Sequence, residues 1–220
     1  MSRNYFWTRP CTFRPNGLKF ATMEAKADRT RRIIIEKASR LFNRKGYHGT
    51  SMSDILKATG LAKGGVYGHF SGKDEIAAEA FEHAFYKVMD ELAIRIKGSE
   101  TALGKLEAIL DFYALFLSAP PVDGGCPILN QSGYALDDVP TMAKLVSRAT
   151  RTMLDALVRI LEKGQKYGQI KAEIEAEAYA EIIYSRIEGA LALAKATRDE
   201  VRLHRLLEAL RQDMRRDLSA

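Results

Sequence analysis

The run from Ser51 to Phe70, Ser-Met-Ser-Asp-Ile-Leu-Lys-Ala-Thr-Gly-Leu-Ala-Lys-Gly-Gly-Val-Tyr-Gly-His-Phe, concentrates residue types suited to gripping an anion. Lys63, Tyr67, His69 and, just beyond, Lys73 supply hydrogen-bond donors within a few helical turns. Thr50 and Ser51 place two hydroxyls at a helix start, where free backbone N–H groups and the helix dipole favour negative charge. Gly64 and Gly65 are poor helix formers, so stability alone does not explain them at the start of a helix. Lacking side chains, they let backbone approach a sugar-phosphate strand or base edges while neighbouring donors reach phosphate oxygens. The chemistry indicated is recognition, not bond-making.

Machinery for bond-making is not visible. His48, His69, His83 and His204 form no His-x-x-x-His pair, and neither a Gly-x-Ser-x-Gly elbow nor a Gly-x-x-x-x-Gly-Lys loop occurs. The acidic pairs Asp74/Glu75 and Asp137/Asp138 fall where helix caps or solvated loops account for them. Cys11 and Cys126 are too few for a disulfide framework and have no metal-ligand spacing with the histidines. The chain is therefore expected to be no enzyme and to carry no cofactor and no metal.

The elements that position the basic run read as helices. Ile33, Ile34, Ala38, Leu41 and Phe42 recur at helical spacing over 28–45, and Gly46 stops that helix. Ser51, with Asp54 three residues on, makes a capping-box-like start to a second helix ending at Gly60, with Met52, Ile55 and Ala58 facing inward. A third helix over 63–70 puts Val66 and Phe70 on one face. Two short helices joined at a glycine, pinned by Ile55, Leu61 and Val66, make a helix-turn-helix whose second helix projects from the surface. The chain re-caps at Ser71, and Asp74 and Glu75 favour the first turn of a long helix reaching about Lys97. Helical patterns continue over 101–118, 128–135, 141–167, 176–196 and 200–216, separated by Gly- and Pro-containing breaks, with no strand pattern and no internal repeat.

The expected fold is all-α: an N-terminal three-helix helix-turn-helix DNA-binding domain over 27–72 and a C-terminal helical ligand-binding and dimerisation domain over 73–220. Residues 1–26 read as a disordered basic extension. Its first 22 residues have three explanations: a start placed upstream of a true start at Met23, a basic arm that follows DNA, or a transit-like segment.

Charge supports this division. The formal net charge is +6, but residues 1–75 hold 15 Lys/Arg against 6 Asp/Glu, leaving 19 against 22 in the remainder. Positive charge concentrated at one end is the footprint of a module that docks on phosphates, although an acidic membrane surface could attract it too. No run of about 18 apolar residues is present to span a bilayer, the first residues lack a secretory core, and the cysteine content suits a reducing cytosol.

The segment Gly65-Val66-Tyr67-Gly68-His69-Phe70, followed by Lys73-Asp74-Glu75-Ile76, resembles the recognition segment of the TetR family. The likeness extends over about 28–80 and includes Phe42, Gly46, Thr50, Ile55, Gly60 and Lys63; beyond that, the chain resembles the family only in its succession of helices. The resemblance implies a cytoplasmic homodimer on double-stranded operator DNA, with Tyr67, His69 and Lys73 on phosphates and Lys63, Gly64 and Gly65 near bases. Thr50 and Ser51 complete the expected DNA-binding set. Gly68 departs from the His, Arg or Trp often found there, leaving Arg44, Lys45 or the basic arm to compensate. The implied function is transcriptional repression, relieved by a small-molecule or electrophile effector.

Three features of the C-terminal part remain open between a functional and a packing role. Ile182, Ile183, Ile187, Leu191 and Leu193, with Leu203, Leu206, Leu207 and Leu210, form apolar stripes that could pair with a second subunit or fill the chain's own core. Phe112, Tyr113, Phe116, Tyr134, Met142, Leu145, Met153 and Tyr184 could line an effector cavity or be ordinary core. Cys126 lies in Gly124-Gly125-Cys126-Pro127-Ile128-Leu129-Asn130, before a helix whose dipole would favour a reactive thiolate, with Asp123 opposing. That stretch is similar to the Gly-Cys-x-x-x-Asn segment of a TetR branch that responds to electrophiles or oxidants. The other reading is a small packing residue.

Overall fold

The computed structural model describes residues 24–135 and 139–219, with side chains over 27–132 and 139–219. The basic extension lies outside the described residues, except that its last three positions form the first turn of helix α1, Glu24–Lys45. Among the described residues the chain forms nine helices and no strand, with one isolated bridge between Ile170 and Ser219.

The apolar face of α1 buries Ile34, Ile35, Ala38 and Phe42. Ile33, expected on that face, is displaced to its edge and is 38% exposed. Helix α2, Met52–Thr59, starts with the expected capping box: Ser51 Oγ accepts from Asp54 N at 3.0 Å, and Asp54 Oδ2 accepts from Ser51 N at 2.9 Å. Gly60, with φ of 71°, ends the helix in the left-handed region that favours glycine. Ile55 is buried, but Ala58 faces solvent rather than the core. Helix α3, Lys63–Tyr67, is shorter than expected, and the turn through Gly68 and His69 returns Phe70 to the core beside Val66.

Helix α4, Lys73–Lys97, has the expected bounds, but Gly72 rather than Ser71 is its cap. Glu75 nevertheless reaches back, its Oε2 accepting from both the N–H and the hydroxyl of Ser71 at 2.8 Å. The remaining helices are α5 Ala102–Ala114, α6 Pro127–Ala135, α7 Pro140–Lys166, α8 Ala176–Thr197 and α9 Glu200–Leu218. The expected 101–118 helix therefore stops four residues early. Helix α4 packs against α1 on one side and against α5 and α7 on another, while α8 lies between α7 and α9.

This packing uses most of the apolar stripes on α8 and α9. Ile183, Ile187, Leu191, Leu203, Leu207 and Leu210 are at most 3% exposed within a single chain, and Leu206 is half-buried. The stripe read as a subunit seam is thus the intrachain contact between these helices. On α8 and α9, Ile182, Leu193 and Val201 are the large apolar side chains left facing outward, at 45%, 52% and 76% exposure.

Candidate nucleic-acid interface

The helix-turn-helix leaves Ser51 exposed at the start of α2, and Lys63, Gly64 and Tyr67 exposed on α3. Lys63 Nζ lies 5.6 Å from the centroid of the Tyr67 ring, so a cation and a phenol share one surface. A Cβ on Gly64 would meet nothing within 4 Å, and one on Gly65 would meet only Leu61 at ordinary contact distance. Packing therefore requires glycine at neither position.

Other expected contact residues have structural tasks. Thr50 is completely buried, its hydroxyl donating to Gly46 O at 2.9 Å, so its side chain holds the turn and does not face a ligand. The start of α2 already carries an anion of its own. Asp54 is pulled down to about 2 by hydrogen bonds from the Ser51 N–H and hydroxyl and by Lys45, with Lys45 Nζ 3.3 Å from its carboxylate. Ser51 remains exposed but is committed to that capping box. Lys73 is half-buried with its ammonium 4.0 Å from the centre of the Tyr47 ring, and burial lowers its pKa. His69 is half-buried. Of the cations expected to compensate for Gly68, Lys45 pairs with Asp54 and Arg44 with Asp123, both across exposed contacts of the kind that exchange readily.

Arg31 was not singled out from the sequence. Its guanidinium sits 4.2 Å over the Phe70 ring, donates to His69 O and to Glu79, and reaches Glu75 Oε1 at 3.1 Å. Hydrogen bonds from Ser71, reinforced by Arg31, hold Glu75 down at about 2. Arg31 therefore clamps the end of the reading unit to the first turn of α4. Only the Arg-rich polar face of α1 hinted at such a role.

Comparison with known proteins settles the lineage. Residues 34–80 match the family described as bacterial regulatory proteins, tetR family, and residues 102–210 match the tetracyclin repressor-like C-terminal domain. A TetR transcriptional regulator from Chloroflexus aurantiacus superposes with a TM-score of 0.85 at 32% identity, covering 89% of this chain and 98% of that one. The chain belongs to the TetR family of transcriptional regulators. A TetR-family regulator from Cytophaga hutchinsonii follows with a TM-score of 0.80 at 29% identity, over 88% of this chain and 96% of its own. YxaF, an uncharacterized HTH-type transcriptional regulator of Bacillus subtilis, is 28% identical over 86% of this chain and 96% of itself. TetR-family regulators bind DNA, typically as repressors with ligand-responsive release, and are not enzymes.

In this TetR-family chain the aromatic residues expected to line an effector cavity are tightly packed. Phe112, Tyr113 and Phe116 are buried against one another with ring centroids 4.6–5.5 Å apart, and Met142, Met153 and Tyr184 are buried as well. The side chain of Tyr134 lies outside the described residues. A cavity of about 150 Å³ lies instead between α4 and α7, lined by Phe81, Glu82, Phe85, Tyr86, Leu145, Arg148, Ala149 and Thr152. Leu145 is the one residue it shares with the expected set, and an ion pair between Glu82 and Arg148 lies at it.

Cys126 is only 5% exposed and donates through Sγ to Glu188 Oε1 at 3.1 Å. Burial and the neighbouring Glu188 push the thiol well up, outweighing the N–H groups of Ile128 and Leu129 at the start of α6. The expected helix-dipole effect exists but is overruled. Burial likewise raises Glu188, against the Cys126 thiol that donates to its Oε1, and among the described residues its Oε2 and the buried Tyr184 hydroxyl meet no hydrogen-bond partner.

Proposed function

We propose that this chain is a cytoplasmic homodimeric repressor that reads a palindromic operator with the exposed surface of α3. Lys63 with the backbone at Gly64 and Gly65 approaches base edges; Tyr67, His69 and Lys73 position the unit on phosphates. The single observation carrying this reading is that Gly64 leaves open space at an exposed helix start where nothing in the fold asks for glycine. Close approach of a second backbone explains it. The domain division follows: residues 27–72 read DNA, while 73–220 bind effector and partner.

Pairing through α8 and α9 is supported by their outward apolar residues Ile182, Leu193 and Val201 rather than by the buried stripe. Two-fold symmetry would then offer two reading helices about one DNA turn apart. Effector binding is proposed at the α4–α7 cavity, where Phe81, Phe85 and Leu145 beside the Glu82–Arg148 pair suit a small molecule with an apolar body and a polar end. A ligand there would press on α4, which carries the reading unit at its N-terminal end.

The test is operator binding by the purified protein on duplexes from its own upstream region, at physiological ionic strength. Preference for one palindromic segment over random duplex, lost on Lys63→Ala or Tyr67→Ala with unchanged thermal unfolding, supports the reading. Equal affinity for every duplex overturns it.

A further inference from the structure

Helix α1 ends in an unusual way. The last four carbonyls of a helix have no partner within it, and at the end of α1 two of them are served by side chains from the C-terminal part. Gln131 Nε2 donates to Phe42 O at 2.8 Å, and Asn130 Nδ2 donates to Asn43 O at 2.9 Å. The same Asn130 amide also lies 3.0 Å from Asn43 Oδ1 and 2.9 Å from Gly124 O. Asn43 answers by donating from Nδ2 to Asp123 O and Gly125 O, both at 2.9 Å. It is almost fully buried.

The glycines make this approach feasible. Gly124 has φ of 100°, and a Cβ there would lie 2.8 Å from Asn43 O and 3.0 Å from Asn43 C, both backbone atoms. A side chain would force the loop away from the helix end. Cys126, in turn, fixes the loop to α8 through Glu188. Two turns further along α8, Lys195 donates to Asn130 Oδ1 and lies 3.4 Å from Gly124 O. The Gly-Gly-Cys-Pro-x-x-Asn segment thus has α8 on one side and the end of α1 on the other.

We infer that this segment is a latch: Asn130, set by Lys195 of α8, completes the C-terminal cap of α1 from outside the reading unit and so transmits the state of the C-terminal domain to it. The path beyond Asn43 is short. Gly46 N donates to Phe42 O at 2.9 Å, Thr50 Oγ1 donates to Gly46 O at 2.9 Å, and Ser51 caps α2. Withdrawing Lys195 frees Asn130 Oδ1, loosens the amide that caps Asn43, and relaxes the turn that aims α2 and α3. This inference rests on the proposed DNA-reading role for its consequence, but its structural part can be tested without DNA. Cys126 serves here as an anchor.

Two measurements test it. The first compares amide hydrogen exchange of the wild-type protein and Lys195→Met, a change at an exposed residue. Faster exchange at residues 42–50 is expected, while unchanged exchange there overturns the latch. The second is a double-mutant cycle of Lys195→Met and Asn130→Ala read on Kd for the upstream operator. Lys195→Met is expected to change Kd by roughly 2- to 30-fold, and to change it little when Asn130 is already Ala. Effects that simply multiply overturn the route through Asn130. Should Asn130→Ala fail to fold, the exchange comparison decides alone. Should wild-type protein prefer no upstream duplex, the DNA-reading proposal falls, and exchange at 42–50 still decides the latch.

Discussion

Gly64→Ala separates a residue kept for stability from one kept for a partner, because the two roles predict opposite signs. The added methyl meets no atom within 4 Å, and the position does not adopt a positive φ. Alanine is favoured over glycine in a helix by up to about 1 kcal/mol, nearer 0.5 kcal/mol in the first turn of so short a helix. At roughly 2–4 °C per kcal/mol for a chain of this size, Tm should rise by about 1–4 °C. Operator affinity should move the other way. A methyl interposed at the closest approach costs about 1–3 kcal/mol, comparable to one mismatched contact in a site. A two-fold dimer incurs it twice, so roughly 2–6 kcal/mol is lost, a 30-fold or greater weakening. Thermal unfolding by circular dichroism and titration of a fluorescent operator duplex read the two quantities on one sample. A variant with raised Tm and wild-type Kd would refute the argument that glycine admits DNA at this position.

Three further outcomes follow from the electrostatics. Asp54 and Glu75 are held near 2, below their unfolded values of about 3.9 and 4.3, so the stability they confer is complete above those values and is lost as pH falls toward 2. Far-ultraviolet dichroism between pH 5 and pH 2 should show that loss, and Asp54→Asn should flatten part of it; an identical acid profile for the variant would contradict the assignment. Glu188 is raised by burial, so the wild-type protein loses stability as pH climbs through the folded value, whereas Glu188→Gln does not. Its Tm advantage over wild type should therefore grow from about pH 4.3 upward, and a constant difference would be inconsistent with a buried ionising group. Cys126 in a Cys11→Ser background should resist a thiol reagent in the folded protein and react freely in urea, since burial and Glu188 keep it protonated. Equal rates in the two conditions would restore the reactive-thiolate reading.

What the sequence reveals depends on whether the cause is local. The capping box of Ser51 and Asp54, the stop at Gly60 and the inward set of Ile55, Val66 and Phe70 depend on residues within a few positions of each other, and all are present. Thr50 shows the limit. A hydroxyl beside a helix start looks like an anion contact, yet its burial against Gly46 follows from how the preceding turn folds over α1. The α8 and α9 stripes fail for a similar reason: periodicity marks which face is buried but does not say against what. Cys126 is the clearest case. The dipole of α6 is legible in the sequence, but Glu188 is 62 residues away, and only tertiary packing brings a carboxyl to the thiol.

Arg31 and Asn43 together account for how the reading unit is carried. Both lie on α1, twelve residues apart, and hold opposite ends of the same unit. Arg31 fastens the end of the helix-turn-helix to Glu75 and Glu79 on α4, whereas Asn43 fastens the turn before α2 to the 123–131 segment. The first attachment is a half-exposed ionic clamp; the second centres on the buried neutral amides of Asn43 and Gln131, with Lys195 reaching it through the half-buried Asn130. Added salt weakens the exposed clamp by screening and leaves buried neutral hydrogen bonds largely unchanged. These two polar attachments add to the apolar packing of α1 on α4 that also holds the unit. Salt therefore distinguishes the two attachments, loosening the Arg31 clamp on α4 before the Asn43 bonds at the end of α1.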